Sequence, residues 1–164
     1  MLYYLLLGSN AGDRLAMIQN ATKLIEEQVG GIKERSHYYE TAAWGDTSQP
    51  NYYNIALCVS SKIPPKDALK CILSIENQLG RTRDATNKWA VRTIDIDILL
   101  IDDLIIDTPT LKVPHPHLHE RSFALLPLIE IAGELMHPVL QMEMDDVYEQ
   151  CTDELEVMLL EDED

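Results

Sequence analysis

Arg92-Thr93-Ile94-Asp95-Ile96-Asp97-Ile98-Leu99-Leu100 alternates isoleucine with aspartate before it closes on two leucines. Side chains of an extended chain point alternately to opposite faces, so Ile94, Ile96 and Ile98 share one face and Asp95 and Asp97 the other. The stretch 94–101 therefore reads as a strand, with an apolar face on a core and two carboxylates on its reverse. Aspartate is depleted in strands, and like charges on one face repel. A divalent cation offsets that repulsion directly, and ligands offering only oxygen suit a hard ion such as Mg²⁺. The alternative is a solvated strand face whose two acids do nothing.

Upstream of this strand, Pro64-Pro65 opens a helix whose Leu69, Ile72, Ile75 and Leu79 recur at helical spacing until Gly80. Before it, Tyr53, Ile55, Leu57 and Val59 alternate with Tyr52, Asn54, Ala56 and Cys58, a second two-faced strand. An earlier strand and helix have the same form. Residues 2–7 are an apolar run closed by Gly8-Ser9-Asn10, and Leu15, Ile18, Ala21, Ile25 and Val29 mark a helix over 13–28, ended by Gly30-Gly31. Residues 32–40 read as a strand of mixed pattern. Downstream, Asp102-Asp103 turns the chain into 104–107 as a hairpin or an extension, and Pro114 and Pro116 bound a loop. A short helix over 120–131 is interrupted or bent near Pro127, and the remainder is helical but weakly specified. The order β-α-β-β-α-β predicts an α+β, ferredoxin-like sandwich, an antiparallel sheet covered by helices. Such a fold hosts many functions and assigns none.

The totals fit one domain over 1–164: 164 residues, 46% of them hydrophobic, with no Pro/Gly/Ser-rich linker. The acidic end, 153–164, is expected to be a solvated tail or a terminal helix with a charged face. A net charge of −15 speaks against nucleic acid and membrane as partners, because their phosphates would repel this surface. Cys58, Cys71 and Cys151 are odd in number and form no CxxC pair, which favours reduced thiols and a cytoplasmic protein. The N-terminal apolar run is too short for a signal peptide or a membrane span. A monomer is expected, with a dimer as the alternative.

Local charge runs against the acidic average. Arg81, Arg83, Lys88 and Arg92 fall in the loop leading into the carboxylate strand, and Lys112, His115 and Arg121 follow soon after it, in a chain with only 13 Lys and Arg. Acids that hold a metal beside arginine forks are what a polyphosphate–magnesium complex requires. The bland reading is local neutralisation of an acidic protein. No GxxxxGK[ST] or GxGxxG loop is present, which speaks against a P-loop or Rossmann site.

Trp44, Tyr52, Trp89 and Phe123, the only phenylalanine, lie beside irregular segments, with Asn54 close in sequence to Tyr52. Flat side chains and an amide suit a planar heterocycle, stacked on its faces and bonded at its edge, although each aromatic taken alone reads first as core. His115, His117 and His119 could form an HxHxH metal site in an extended chain, or stand exposed on a prolyl turn. A metal-dependent phosphohydrolase and a non-catalytic ligand-binding module thus stay open beside a phosphate-transferring enzyme.

Taken together, these segments resemble the 6-hydroxymethyl-7,8-dihydropterin pyrophosphokinase family. The resemblance lies in Lys88-Trp89-Ala90-Val91-Arg92-Thr93-Ile94-Asp95-Ile96-Asp97-Ile98-Leu99-Leu100, in Leu7-Gly8-Ser9-Asn10 and in Thr41 through Asn54. It continues in Gly80-Arg81-Thr82-Arg83 and in Val113 through Arg121 with Pro127-Leu128. It implies transfer of pyrophosphate from ATP to the pterin's hydroxymethyl group, with two Mg²⁺ ions held by Asp95 and Asp97. It further implies that Arg81 and Arg92 assist the transfer. Glu76, Arg83, Trp89, Ile98, Lys112, His115 and Arg121 would contact ATP. The pterin would stack between Tyr52 and Phe123, bond to Asn54, and be closed in by Thr41 and the backbone at Trp44. Ala42-Ala43 stand where the family often has prolines, and Thr110 and Pro116 replace nucleotide-contacting side chains of some members. Asp95 is the one candidate for a general base, and 45–49 and 84–91 are the loops expected to close over substrates.

Overall fold

The computed structural model describes residues 1–41, 51–80 and 94–160. The N-terminal apolar run becomes β1 (Leu2–Ser9), buried from Tyr3 onward. Its burial explains its composition, because both faces are covered and no polar alternation is needed. Tyr3, Leu5 and Leu7 join one core, whereas Tyr4 and Leu6 join a second on the opposite face.

The elements that follow are α1 (Arg14–Gln28), β2 (Gly31–Arg35), β3 (Tyr39–Thr41), β4 (Tyr52–Ser60), α2 (Pro65–Gln78) and β5 (Asp95–Ile101). The main sheet runs from β10 (Val157–Leu159) through β3, β4 and β1 to β5, with β2 also on β4, and all its pairings are antiparallel. This is the expected ferredoxin-like arrangement. Helices α1 and α2 cover the Leu5 face through Ile18, Ile25, Ile72 and Ile75. Asp13 caps α1 by accepting the Ala16 N–H at 3.1 Å, and Pro65 takes the first position of α2, where its missing N–H costs nothing. At the end of α1, a Cβ on Gly30 would fall 2.1 Å from the Ser60 carbonyl oxygen. Glycine there lets the helix turn back against the end of β4.

The opposite face is covered by α3 (Ser122–Ala132) and α4 (Met144–Glu149), which bring Leu125, Leu128, Met144 and Val147 onto Leu6 and Leu100. Between β5 and α3 lie β6 (Ile106–Asp107), β7 (Lys112–Val113) and a 3₁₀ turn (Leu118–Glu120). Beyond α3 come β8 (Met136–His137), β9 (Met142–Glu143) and, past α4, β10 (Val157–Leu159).

Four expectations need correction. The strand over 32–40 is two strands, broken where Ser36 turns inward and its Oγ accepts the Ala56 N–H at 2.9 Å. From Arg35 to Tyr39 the chain advances four residues while its partner moves three, from Leu57 to Asn54, so one residue bulges. Residues 106–107 pair with β7 and do not extend β5. Helix α3 begins at Ser122 and carries Pro127 inside it. The C-terminal region holds a β8–β9 hairpin and one short helix, and the acidic end contributes β10, which pairs with β3. Among the described residues, no helix is long and apolar enough to cross a membrane.

Candidate active site

The site begins with the register of β5 on β1. Asp97 lies opposite Leu6 and Asp95 opposite Gly8, and directly opposed residues share a face. Leu6 belongs to the α3 side, so both carboxylates stand on that side, while Ile96 and Ile98 pack with α2. Both aspartates are half-buried. Gly8 also lies opposite Asn54 of β4, which makes Asp95, Gly8 and Asn54 one row across three strands.

Gly8 is required by what leans over it. A Cβ there would meet Asn54 Oδ1 at 2.6 Å and Tyr52 Cδ1 at 3.5 Å. Asn54 is 3% exposed, and its Nδ2 donates to Thr41 Oγ1 at 3.2 Å. That bond fixes the amide with Oδ1 over the glycine. Tyr52, opposite Thr41, stands one pleat further along the same face. Arg14 secures the entry to β4: Nη1 donates to the Asn51 carbonyl at 2.8 Å, and its guanidinium sits 3.9 Å from the Tyr53 ring centroid. Helix α3 packs on β4 from this side and carries Phe123 in its first turn, with the Arg121 guanidinium 5.6 Å from the Phe123 ring centroid.

Strand β5 is a sheet edge, and a cleft of about 570 Å³ wraps around it. Asp95, Asp97, Ile98, Glu76, Lys112, His115 and Arg121 all line this cleft. Glu76 is 2% exposed, and its Oε2 accepts the Ile96 N–H at 2.9 Å. That bond shows which side of β5 faces away from β1. The alternation of an antiparallel ladder puts the main-chain groups of Ile98 on the same outer side. Lys112 pairs with Asp107 across the β6–β7 hairpin.

His115 reaches the cleft from the loop along the β5 edge, where its N–H donates to the Leu99 carbonyl at 2.9 Å. Burial, then the Arg121 charge and His117, push its imidazole down to about 4, so the ring is neutral near pH 7. Its Nδ1 accepts the His117 N–H at 3.1 Å, which leaves the proton on Nε2. The HxHxH reading fails on this geometry. Residues 118–120 coil into a 3₁₀ turn, and His117 and His119 both turn to Glu120, at 3.0 and 3.5 Å. Among the described residues, no group of three or more His, Cys, Asp or Glu gathers as a metal cluster. The chemistry of the donor set still fits Mg²⁺: two carboxylates on one face leave most of an octahedral shell to water and phosphate oxygens, as this ion prefers.

The sequence-predicted residues thus fall into two groups that meet at Asp95 and Asp97. Glu76, Ile98, Lys112, His115 and Arg121 surround the cleft, and Thr41, Tyr52, Asn54 and Phe123 belong to the α3 side of the sheet. Arg81, Arg83, Lys88, Trp89, Arg92, Trp44 and Ala42-Ala43 lie outside the described residues. Sequence reasoning missed the roles of Gly8 and Arg14, and Thr110 and Pro116, left out of the expected site, also line the cleft. The apolar positions of α2 could have signalled more, because Leu69 and Leu73 line the cleft with Glu76.

Residues 4–133 match the family model described as 7,8-dihydro-6-hydroxymethylpterin-pyrophosphokinase. The chain is 43% identical over 136 residues to the 2-amino-4-hydroxy-6-hydroxymethyldihydropteridine pyrophosphokinase of Aquifex aeolicus, covering 83% of each. To the Bacillus subtilis protein of the same name it is 37% identical over 143 residues, covering 87% of this chain and 84% of that one. Among solved structures it resembles Plasmodium falciparum HPPK-DHPS, with a TM-score of 0.74 at 17% identity. That likeness covers 91% of this chain and 44% of the other, and it speaks for the fold alone.

Proposed function

This chain belongs to the 7,8-dihydro-6-hydroxymethylpterin-pyrophosphokinase family, and from that premise we propose how its own residues perform the reaction. The chain transfers pyrophosphate from ATP to the hydroxymethyl group of 6-hydroxymethyl-7,8-dihydropterin, a step of folate biosynthesis. The hydroxymethyl oxygen forms a bond to the β-phosphorus, the bond from that phosphorus to the bridging α-oxygen breaks, and AMP leaves.

The observation that supports the assignment of roles is the row Asp95–Gly8–Asn54. It sets the amide that reads a heterocycle two strand spacings, roughly 10 Å, from the carboxylate beside the phosphates. Asn54, oriented by Thr41, bonds the pterin edge, Tyr52 and Phe123 stack on its faces, and Trp44 closes the pocket. His115 offers a neutral Nε2–H to an anionic oxygen, and Arg121 and Lys112 add charge. Glu76 and the Ile98 main chain form the nucleotide side with Arg83 and Trp89, while Arg81 and Arg92 act on the transferring group. Asp95 and Asp97 would hold Mg²⁺, two ions in all, which would supply charge neutralisation of the triphosphate. Asp95 is also a candidate to accept the hydroxyl proton. Positioning and charge stabilisation then supply most of the rate. We read the chain as one cytoplasmic, monomeric domain over 1–164.

The test is AMP formation from ATP and Mg²⁺, with and without 6-hydroxymethyl-7,8-dihydropterin. AMP that appears only with the pterin is expected. Free phosphate or ADP released regardless of pterin would indicate a phosphohydrolase, and binding without turnover a ligand-binding module.

A further inference from the structure

Helix α3 carries Arg121 at its N-cap and Phe123 in its first turn, yet its own sequence gives that turn no acidic residue. An arginine side chain has donors only and cannot cap the exposed N–H groups of a helix start. The missing acceptor comes from Asp153, far along the chain. Its Oδ2 accepts the Ser122 N–H at 3.0 Å and lies 3.1 Å from Ser122 Oγ, while Oδ1 accepts the Leu155 N–H at 3.0 Å. Ser122 Oγ also approaches the Leu155 carbonyl at 3.3 Å, and Ser122 is buried.

The same segment then runs on as β10. Val157 pairs with Thr41, and the Leu160 N–H donates to the Tyr38 carbonyl at 2.9 Å. Residues 153–160 thus strap the start of α3 to the end of β3, which holds Asn54 through Thr41. A hollow of about 320 Å³ lies beneath this strap, lined by Tyr148, Cys151, Leu155 and Val157 as well as Ser122 and Asp153. The Asp153–Ser122 bonds fix the α3 end of the strap, and the β10–β3 pairing fixes the other.

We propose that Asp153 is a positioning residue for both substrates, setting Arg121 and Phe123 together by capping Ser122 between them. The proposal rests on the site roles assigned above. A residue of one subsite alters one affinity, whereas this one alters two.

The experiment is calorimetric titration of the full chain with ATP–Mg²⁺ and, separately, with 6-hydroxymethyl-7,8-dihydropterin, together with steady-state AMP formation well below the unfolding temperature. Asp153→Ala should weaken both Kd values about fivefold, the ratio that corresponds to one lost helix cap, with matching rises in KM and a smaller change in kcat. Asp153→Asn keeps an oxygen acceptor but loses the charge at the helix start, and should weaken both about twofold. The exposed neighbour, as Glu154→Ala, should leave both at the parental value. Should Asp153→Ala not fold, Asp153→Asn decides: parental affinities with a lowered thermal midpoint would reduce Asp153 to a structural part and overturn the proposal. A parental chain that binds neither substrate would overturn the site reading itself, and the positioning role with it.

Discussion

The Ile96 N–H, set between Asp95 and Asp97, donates out of the sheet to the buried Oε2 of Glu76 at 2.9 Å. Helix α2 thereby holds β5 at the point where its two carboxylates emerge. Glu76→Ala would leave a buried amide without its acceptor, at about 1–3 kcal/mol. Urea denaturation should show that loss, and Glu76→Gln, which keeps a carbonyl oxygen, should recover most of it. An alanine variant as stable as the parent would mean the bond does not hold β5.

Gly8→Ala tests the row across the sheet. The added methyl would meet Asn54 Oδ1 at 2.6 Å, so the amide must move off its Thr41 partner. Pterin affinity should fall at least tenfold, with a stability cost of about 1–3 kcal/mol from overpacking. ATP affinity should change little, because the cleft lies beyond β5. Calorimetry with each substrate measures both, and equal losses for the two would contradict the division of the site.

His115 gives a prediction in pH. Its imidazole is pushed from 6.5 down to about 4, so the unfolded chain binds its proton first as pH falls. The stability this neutral ring contributes is complete above about 6.5 and is lost as pH drops toward 4. A proton NMR titration of the His115 ring should find its midpoint near 4. A midpoint at the ordinary histidine value would remove the argument for a neutral Nε2 donor.

How much of this could be read beforehand depended on whether the cause was local. The face carrying Asp95 and Asp97 followed from a period of two, and α1 and α2 followed from their apolar spacing and from Gly30-Gly31, Pro65 and Gly80. Elements that owe their shape to distant partners were not legible. Ser36 breaks a strand because its Oγ accepts the Ala56 N–H, and β10 exists because β3 offers an edge to three residues of an acidic stretch. Asp153 caps a helix that begins 31 residues earlier, a relation no window of sequence displays. Of the two readings left open for the histidine alternation, the HxHxH site fails because Leu118–Glu120 is a 3₁₀ turn, where a period of two has no meaning.

The carboxylate pair carries the proposed chemistry, and Asp97→Ala removes half of it. The measurement is AMP formation with ATP, Mg²⁺ and 6-hydroxymethyl-7,8-dihydropterin, beside a circular dichroism spectrum of the same sample. The account predicts a native spectrum and turnover at least a thousandfold below the parent, since removing one charge-stabilising group alone costs about 10²–10³ and a metal ligand should cost more. Near-parental turnover by a folded Asp97→Ala chain would contradict it.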